Sequence, residues 1–235
     1  MKSELAHFER YHQGFLNKSK AELERYPRIG RSERSAELVR RLEKAFRKRT
    51  CPPNINLLLG GDAVDSYYSP ACVAEINKHD RTPRNNWQNI SPELLHACSY
   101  CLPYLEPQAF CYVLPAYLRV MLERPYYLEE DSILFHLTYQ PDSSAVILLA
   151  PLSQEERDVV TDVLNELRYF AEFVDEVGVD SYMLPWEYER YTSEAPDISR
   201  RQFSAASPVK KQKTYIVFDY SSKNSITGLA KAIKI

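Results

Sequence analysis

Leu105-Glu106-Pro107-Gln108-Ala109-Phe110-Cys111-Tyr112-Val113-Leu114-Pro115-Ala116-Tyr117-Leu118-Arg119-Val120-Met121-Leu122 decides how this chain folds. Phe110, Leu114, Tyr117, Leu118 and Met121 recur at helical spacing, so one face of the segment is expected to be buried against other helices. Pro107 suits a first helical position, where its missing amide hydrogen has no partner to lose. Pro115 removes an internal hydrogen bond, which predicts either a kink near Tyr112 or two helices meeting at Leu114.

Outward from this stretch the helical pattern repeats. Leu5, Phe8, Tyr11, Phe15, Leu16 and Leu23 alternate with charges from Ser3 to Tyr26, and Pro27 and Gly30 end that run. Ser35 to Lys48 carries the apolar stripe Leu38, Leu42, Ala45 and Phe46 against a basic face. Leu57 to Asp65 is apolar and is read as turning on Gly60-Gly61-Asp62, with no Lys-Ser/Thr to make a phosphate loop. Ser69-Pro70 and Ser91-Pro92 are helix starts, each a serine cap followed by proline at the first turn. Ser153-Gln154-Glu155-Glu156 is a capping box opening a long helix that reaches about Val177. Ile133 to Tyr139 and Ala145 to Ala150, separated by Gln140 to Ser144, read as a small β-hairpin. Thr214 to Tyr220 reads as a strand, and Ile226 to Ile235 as a short basic amphipathic helix.

The expectation is a mainly α protein: a compact helical domain with a small β-hairpin and an extra C-terminal strand. Three regions follow: an N-terminal helix and connection at 1–34, a helical core domain at 35–191, and a linker with a basic C-terminal segment at 192–235. The 235 residues, 44% hydrophobic and 12% aromatic, suffice for a packed core. No apolar run reaches the roughly 18 residues of a membrane helix, and the charged start excludes a secretory core, so a cytoplasmic protein without membrane association is expected. Five cysteines without regular spacing fit reduced thiols.

A net charge of -2 conceals blocks of opposite sign. Residues 28–49 hold nine basic and three acidic residues, and 155–190 hold eleven acidic and three basic; 199–235 hold eight basic and one acidic. Either the blocks pair within the molecule, or a basic surface is kept for nucleic acid or an acidic partner.

The central stretch resembles a bacterial family of proteins of unknown function that carries Leu-x-Pro-Glu-Ala-Phe followed by Tyr-x-Leu-Pro-Ala-Tyr-Leu. Here the motif reads Leu105-Glu106-Pro107-Gln108-Ala109-Phe110 and then Tyr112-Val113-Leu114-Pro115-Ala116-Tyr117-Leu118, and the likeness extends over about Leu38 to Phe173. Gln108 stands where that pattern has Glu, and Cys111 where it has Arg. The resemblance implies a fold and no chemistry.

Candidate sites are therefore read from the residues. Arg40, Arg41, Lys44, Arg47, Lys48 and Arg49 form a basic face able to follow phosphates, although without interleaved aromatics to read bases. Tyr182 and Trp186, with Tyr188 and Tyr191, form an aromatic patch that either meets a partner protein or seals the acidic helix against the core. His96, Cys98 and Cys101 have the donor types of a zinc site, with Cys111 or His136 as a fourth ligand, but on a helix such thiols commonly pack as core. Asp62 with Asp65 is explained by capping and solvated turns. No nucleophile elbow or His-Glu-x-x-His pair occurs. These features point to a non-catalytic, macromolecule-binding or regulatory protein with a protein partner, of accessory or immunity type; the alternative is a nucleic-acid-binding protein using residues 35–49 and the basic tail. No cofactor is implied.

Overall fold

The structure is a computed structural model that describes residues 2–30, 32–128, 130–137, 145–170, 184–186, 214–217 and 231–234. The chain divides into two compact units, Met1–Glu189 and Arg190–Ile235. In the first unit the helices are α1 (Lys2–Leu23), α2 (Ser35–Ala45), α3 (Leu58–Asp65), α4 (Pro70–His79), α5 (Pro92–Ala97), α6 (Pro107–Glu123), α7 (Glu130–Leu137), α8 (Ala145–Leu149) and α9 (Gln154–Phe170). Short 3-10 turns lie at Trp87–Asn89 and Ser99–Tyr104.

α6 is the axis of the core. Its whole length from Ala109 to Leu122 is buried apart from Arg119, which is half-buried. A helix enclosed on every side needs apolar residues on every side, and this one packs against α2, α5, α8 and α9. It runs unbroken through Pro115, so the two-helix reading is replaced by a single helix. The Tyr117 hydroxyl at the buried centre donates to the Cys98 carbonyl at 2.9 Å, which satisfies the one polar group the ring brings inside. Trp87 is 2% exposed, and its indole N–H donates to the Phe46 carbonyl at 3.1 Å.

Local chemistry starts the helices where the sequence places their caps. Ser69 Oγ accepts from the Cys72 amide at 3.4 Å, and Ser91 Oγ from the Leu94 amide at 3.3 Å. The capping box closes in both directions: the Ser153 amide donates to Glu156 Oε2 at 2.8 Å, and the Glu156 amide donates to Ser153 Oγ at 3.4 Å. α9 is described to Phe170, so its expected extension to Val177 lies outside the described residues.

Two expectations are corrected. The β-hairpin of Ile133 to Ala150 is absent: α7 and α8 occupy the described parts of both runs. Ile133, Leu134 and Leu137 are buried, as are Ala145, Leu148 and Leu149, whereas Val146 and Ile147 are exposed. Buried positions at spacings of three and four belong to helices, and the β-branched content of short apolar runs had disguised that period. The proposed turn at Gly60-Gly61-Asp62 is likewise the interior of α3. Its glycines serve close packing instead. A Cβ on Gly61 would lie 2.8 Å from Leu105 Cδ2 and 3.2 Å from Cys101 Cβ, and one on Gly60 would collide with the Asn77 side-chain oxygen.

In the second unit the described segments Thr214–Val217 and Lys231–Lys234 pair antiparallel, Thr214 opposite Lys234. Residues 231–234 are thus extended where the sequence pattern reads helix. An isolated two-stranded pairing is marginal in water, so no architecture is built on it and the class remains mainly α.

Candidate functional site

An open groove of about 820 Å³ lies beside α3 and α4, lined among others by Asn54, Asn56, Tyr67, Tyr68, Asn77 and Lys78. Its loop wall is held by Arg84, whose Nη1 donates to the Pro52 carbonyl at 2.7 Å and the Ile55 carbonyl at 2.9 Å; the Cys51 amide donates back to the Arg84 carbonyl at 2.8 Å. Across the groove floor the Asn77 amide donates to Asn56 Oδ1. Tyr67 follows the end of α3 at φ 59°, a left-handed conformation that a bulky residue adopts only at a cost of roughly 1–3 kcal/mol. Its side chain is 92% exposed. Tyr68 instead turns inward, its ring edge on Phe8 and its hydroxyl 2.6 Å from His7 Nδ1. Desolvation by burial, the largest effect, raises its phenol pKa above the usual value. Near Tyr67, the Tyr104 phenol is also raised, chiefly by its hydrogen bond with Asp65.

The basic face predicted on α2 is divided. Arg41 pairs with Asp162 of α9, and Arg34 reaches the same carboxylate at 3.9 Å. Arg49 grips Glu156 through two nitrogens and donates to the Pro151 carbonyl at 3.0 Å. Arg40 pairs with Glu37 on its own helix. Lys44 joins Arg41 around a shallow pocket of about 320 Å³ that also takes in Glu155 and Asp158. Arg40, Lys44, Arg47 and Lys48 remain exposed. Part of the basic block therefore pairs with the acidic block inside one unit, which follows from α2 lying along α9.

Trp186 serves the same helix. Its indole N–H donates to Thr161 Oγ1 at 3.0 Å, and the Arg157 guanidinium lies 5.4 Å from its ring centre. Tyr182, Tyr188 and Tyr191 lie outside the described residues.

The His96, Cys98 and Cys101 group does not converge as the sequence spacing suggested. His96 Nδ1 is 2.9 Å from Ser19 Oγ and its ring stacks on Tyr127, which commits it to the α1 side. Cys111 donates to the Leu148 carbonyl at 3.1 Å, a packing contact between α6 and α8. His136 on α7 has its pKa lowered by desolvation. Cys98 has different neighbours: donor atoms of His12, Asp62 and Cys98 all lie within 4.8 Å of one another. His12 Nδ1 is 3.3 Å from Asp62 Oδ2. Burial pushes the Cys98 and Cys101 thiols well above their usual pKa, so neither is a nucleophile as it stands. Sequence reasoning missed His12 entirely and read Asp62 as a turn carboxylate. The one available signal was position: His12 follows Phe8 by four residues and so shares its buried face.

Residues 34–183 match a family of unknown function, DUF6714. The chain belongs to this family. The DUF6714 match includes α2 to α9 and the groove, while α1, which supplies His12, precedes it. No curated protein and no solved structure matches the chain. Among the described residues no helix is long and apolar enough to cross a membrane.

Proposed function

We propose that this protein is a non-catalytic binding or regulatory module that takes an extended segment of a partner protein into the groove between α3 and α4. One observation carries the reading: Tyr67, held at φ 59° and 92% exposed, stands at the mouth of an 820 Å³ trough. The left-handed turn itself ends α3, the Tyr67 and Tyr68 amides donating back to the Val64 and Ala63 carbonyls at 3.0 and 3.1 Å; what it leaves is an exposed aromatic ring beside the groove, which contact with a partner would bury. The side-chain amides of Asn54, Asn56 and Asn77 offer donors and acceptors suited to the main chain of an extended peptide, and Tyr67 and Tyr68 add apolar area. Arg84 holds the loop wall in place before binding, which lowers the ordering cost of association.

Binding to nucleic acid through Arg40, Arg41, Lys44, Arg47, Lys48 and Arg49 is the weaker reading. Arg41 and Arg49 are occupied by Asp162 and Glu156, so a duplex would have to compete with pairs already formed.

A photo-crosslinking residue placed at position 67, and separately at position 47, distinguishes the two in cells that make the protein. The groove reading expects one discrete protein adduct from position 67, lost when Asn77→Asp is added, and none of that species from position 47. Adducts of equal yield from both positions, or none from position 67, would overturn it.

A further inference from the structure

We infer that His12, Asp62 and Cys98 form a binding site for a divalent cation of borderline softness, zinc or a close relative, which fastens α1 to the family domain. The three side chains come from α1, from α3 and from the residue between α5 and the 3-10 turn Ser99–Tyr104. Their donor atoms lie within 4.8 Å of one another. The 3.3 Å between His12 Nδ1 and Asp62 Oδ2 equals the edge, about 3.3 Å, that two ligands at ~2.05 Å span across a tetrahedral zinc. The sulfur would close in by about 1 Å to complete three corners, at a bond of ~2.3 Å.

His12 is 6% exposed, and its Nε2 is buried with no hydrogen-bond partner among the described residues. With the ion on Nδ1, Nε2 lies on the far edge of the ring and is the N–H that a metal-bound imidazole directs to a second partner such as an ordered water. His12 also lines a cavity of about 350 Å³ with Phe8, Glu9, Ile76 and His79. The donor set selects the ion: one imidazole, one carboxylate and one thiolate suit zinc and exclude calcium or magnesium, whose sites are built from oxygen. Three protein ligands leave a fourth position for a solvent oxygen.

The consequence concerns architecture, since His12 lies outside residues 34–183 while Asp62 and Cys98 lie within them. An ion at this position would cross-link a segment beyond the family match to α3 and α5. Cobalt(II) is the probe, added to the full chain after dialysis against a chelator. The expected result is one ion per chain with the absorption of tetrahedral cobalt and a sulfur-to-cobalt charge-transfer band. Cys98→Ser should abolish the band and weaken binding by about tenfold or more, while Cys51→Ser, remote from the cluster, should change neither. If Cys98→Ser fails to fold, the near-isosteric Asp62→Asn replaces it, with the same loss of affinity expected. Hydrogen exchange across Lys2–Leu23 should slow on zinc addition. Folded wild-type protein that binds no cobalt, binds it without the sulfur band, or keeps the band in Cys98→Ser would overturn the site. None of these readouts involves the groove, so the binding proposal above stands or falls separately.

Discussion

Arg49 and Glu156 form a two-point ion pair in which each side chain does a second task. The guanidinium also holds the Pro151 carbonyl at 3.0 Å, and the carboxylate also accepts the Ser153 amide at 2.8 Å to open α9. The side chains are only 19% and 7% exposed. One pair thus joins the end of α2 to the start of α9 and sets the register in which Arg41 meets Asp162.

Removing either partner leaves the other charge buried without compensation. Arg49→Ala or Glu156→Ala should each destabilise the protein by about 3 kcal/mol, measured by urea unfolding. The pair Arg49→Met with Glu156→Gln should recover much of that loss, because a neutral pair of similar volume carries no desolvation penalty. Additive losses in the double variant would show that the two residues act independently.

The glycines test whether helix propensity or packing rules a position. Gly14 in α1 has nothing within 4 Å of a built Cβ, so Gly14→Ala should stabilise by ~0.5–1 kcal/mol through reduced backbone freedom in the unfolded chain. Gly61 sits equally within a helix but faces Leu105 and Cys101 at 2.8 and 3.2 Å. Gly61→Ala should therefore destabilise by about 1–3 kcal/mol as the neighbours are displaced. Thermal melts of the two variants should shift in opposite directions.

Stability should fall as pH rises through the alkaline range, starting near the ordinary thiol pKa. Burial raises the Cys111 thiol from 9.0 to about 12 and the Tyr112 phenol from 10.0 to about 12, and it raises Cys98, Cys101 and Tyr117 well above their usual values. The unfolded chain loses these protons first. Stability is consequently complete below about pH 9 and declines as pH rises towards 12, by up to ~1.4 kcal/mol per pH unit for each such group. Urea midpoints between pH 8 and about pH 10.5 check this, and a flat profile would mean that the thiols and phenols are accessible.

Arg84 supports the groove from behind through its bonds to the Pro52 and Ile55 carbonyls. Arg84→Lys keeps the charge but not the planar geometry, so each lost charge-assisted bond should cost about 1.5–3 kcal/mol. Hydrogen exchange should accelerate at residues 54–56, which line the groove, and not in α9. Equal acceleration in both would indicate global loosening rather than loss of a local brace.

The identity of most helices was present in the sequence because their determinants are local. Ser69, Ser91 and Ser153 stop or start a helix through bonds to amides three residues away, and the apolar spacing of α1, α2, α6 and α9 is a property of each segment alone. Short runs were harder to read: α7 with 8 residues and α8 with 5 offer too few turns for periodicity to outweigh β-branched side chains. The opposite charges of residues 28–49 and 155–190 were visible too, yet pairing within the molecule and a surface kept for a partner both stayed open until α2 was seen lying along α9.

Sequence by itself determined a mainly helical chain with an apolar face on α6, since helical spacing is a property of each segment, while the enclosure of α6 on every side was decided by the helices packed around it. Tertiary structure alone decided that Gly60 and Gly61 are close-packing residues, that Arg49 answers Glu156, and that His12, Asp62 and Cys98 meet. Those groupings join residues 17 to 107 positions apart, from Gly60 and Asn77 to Arg49 and Glu156. Only the packing angles of whole helices bring such residues together, and no local pattern of side chains encodes those angles.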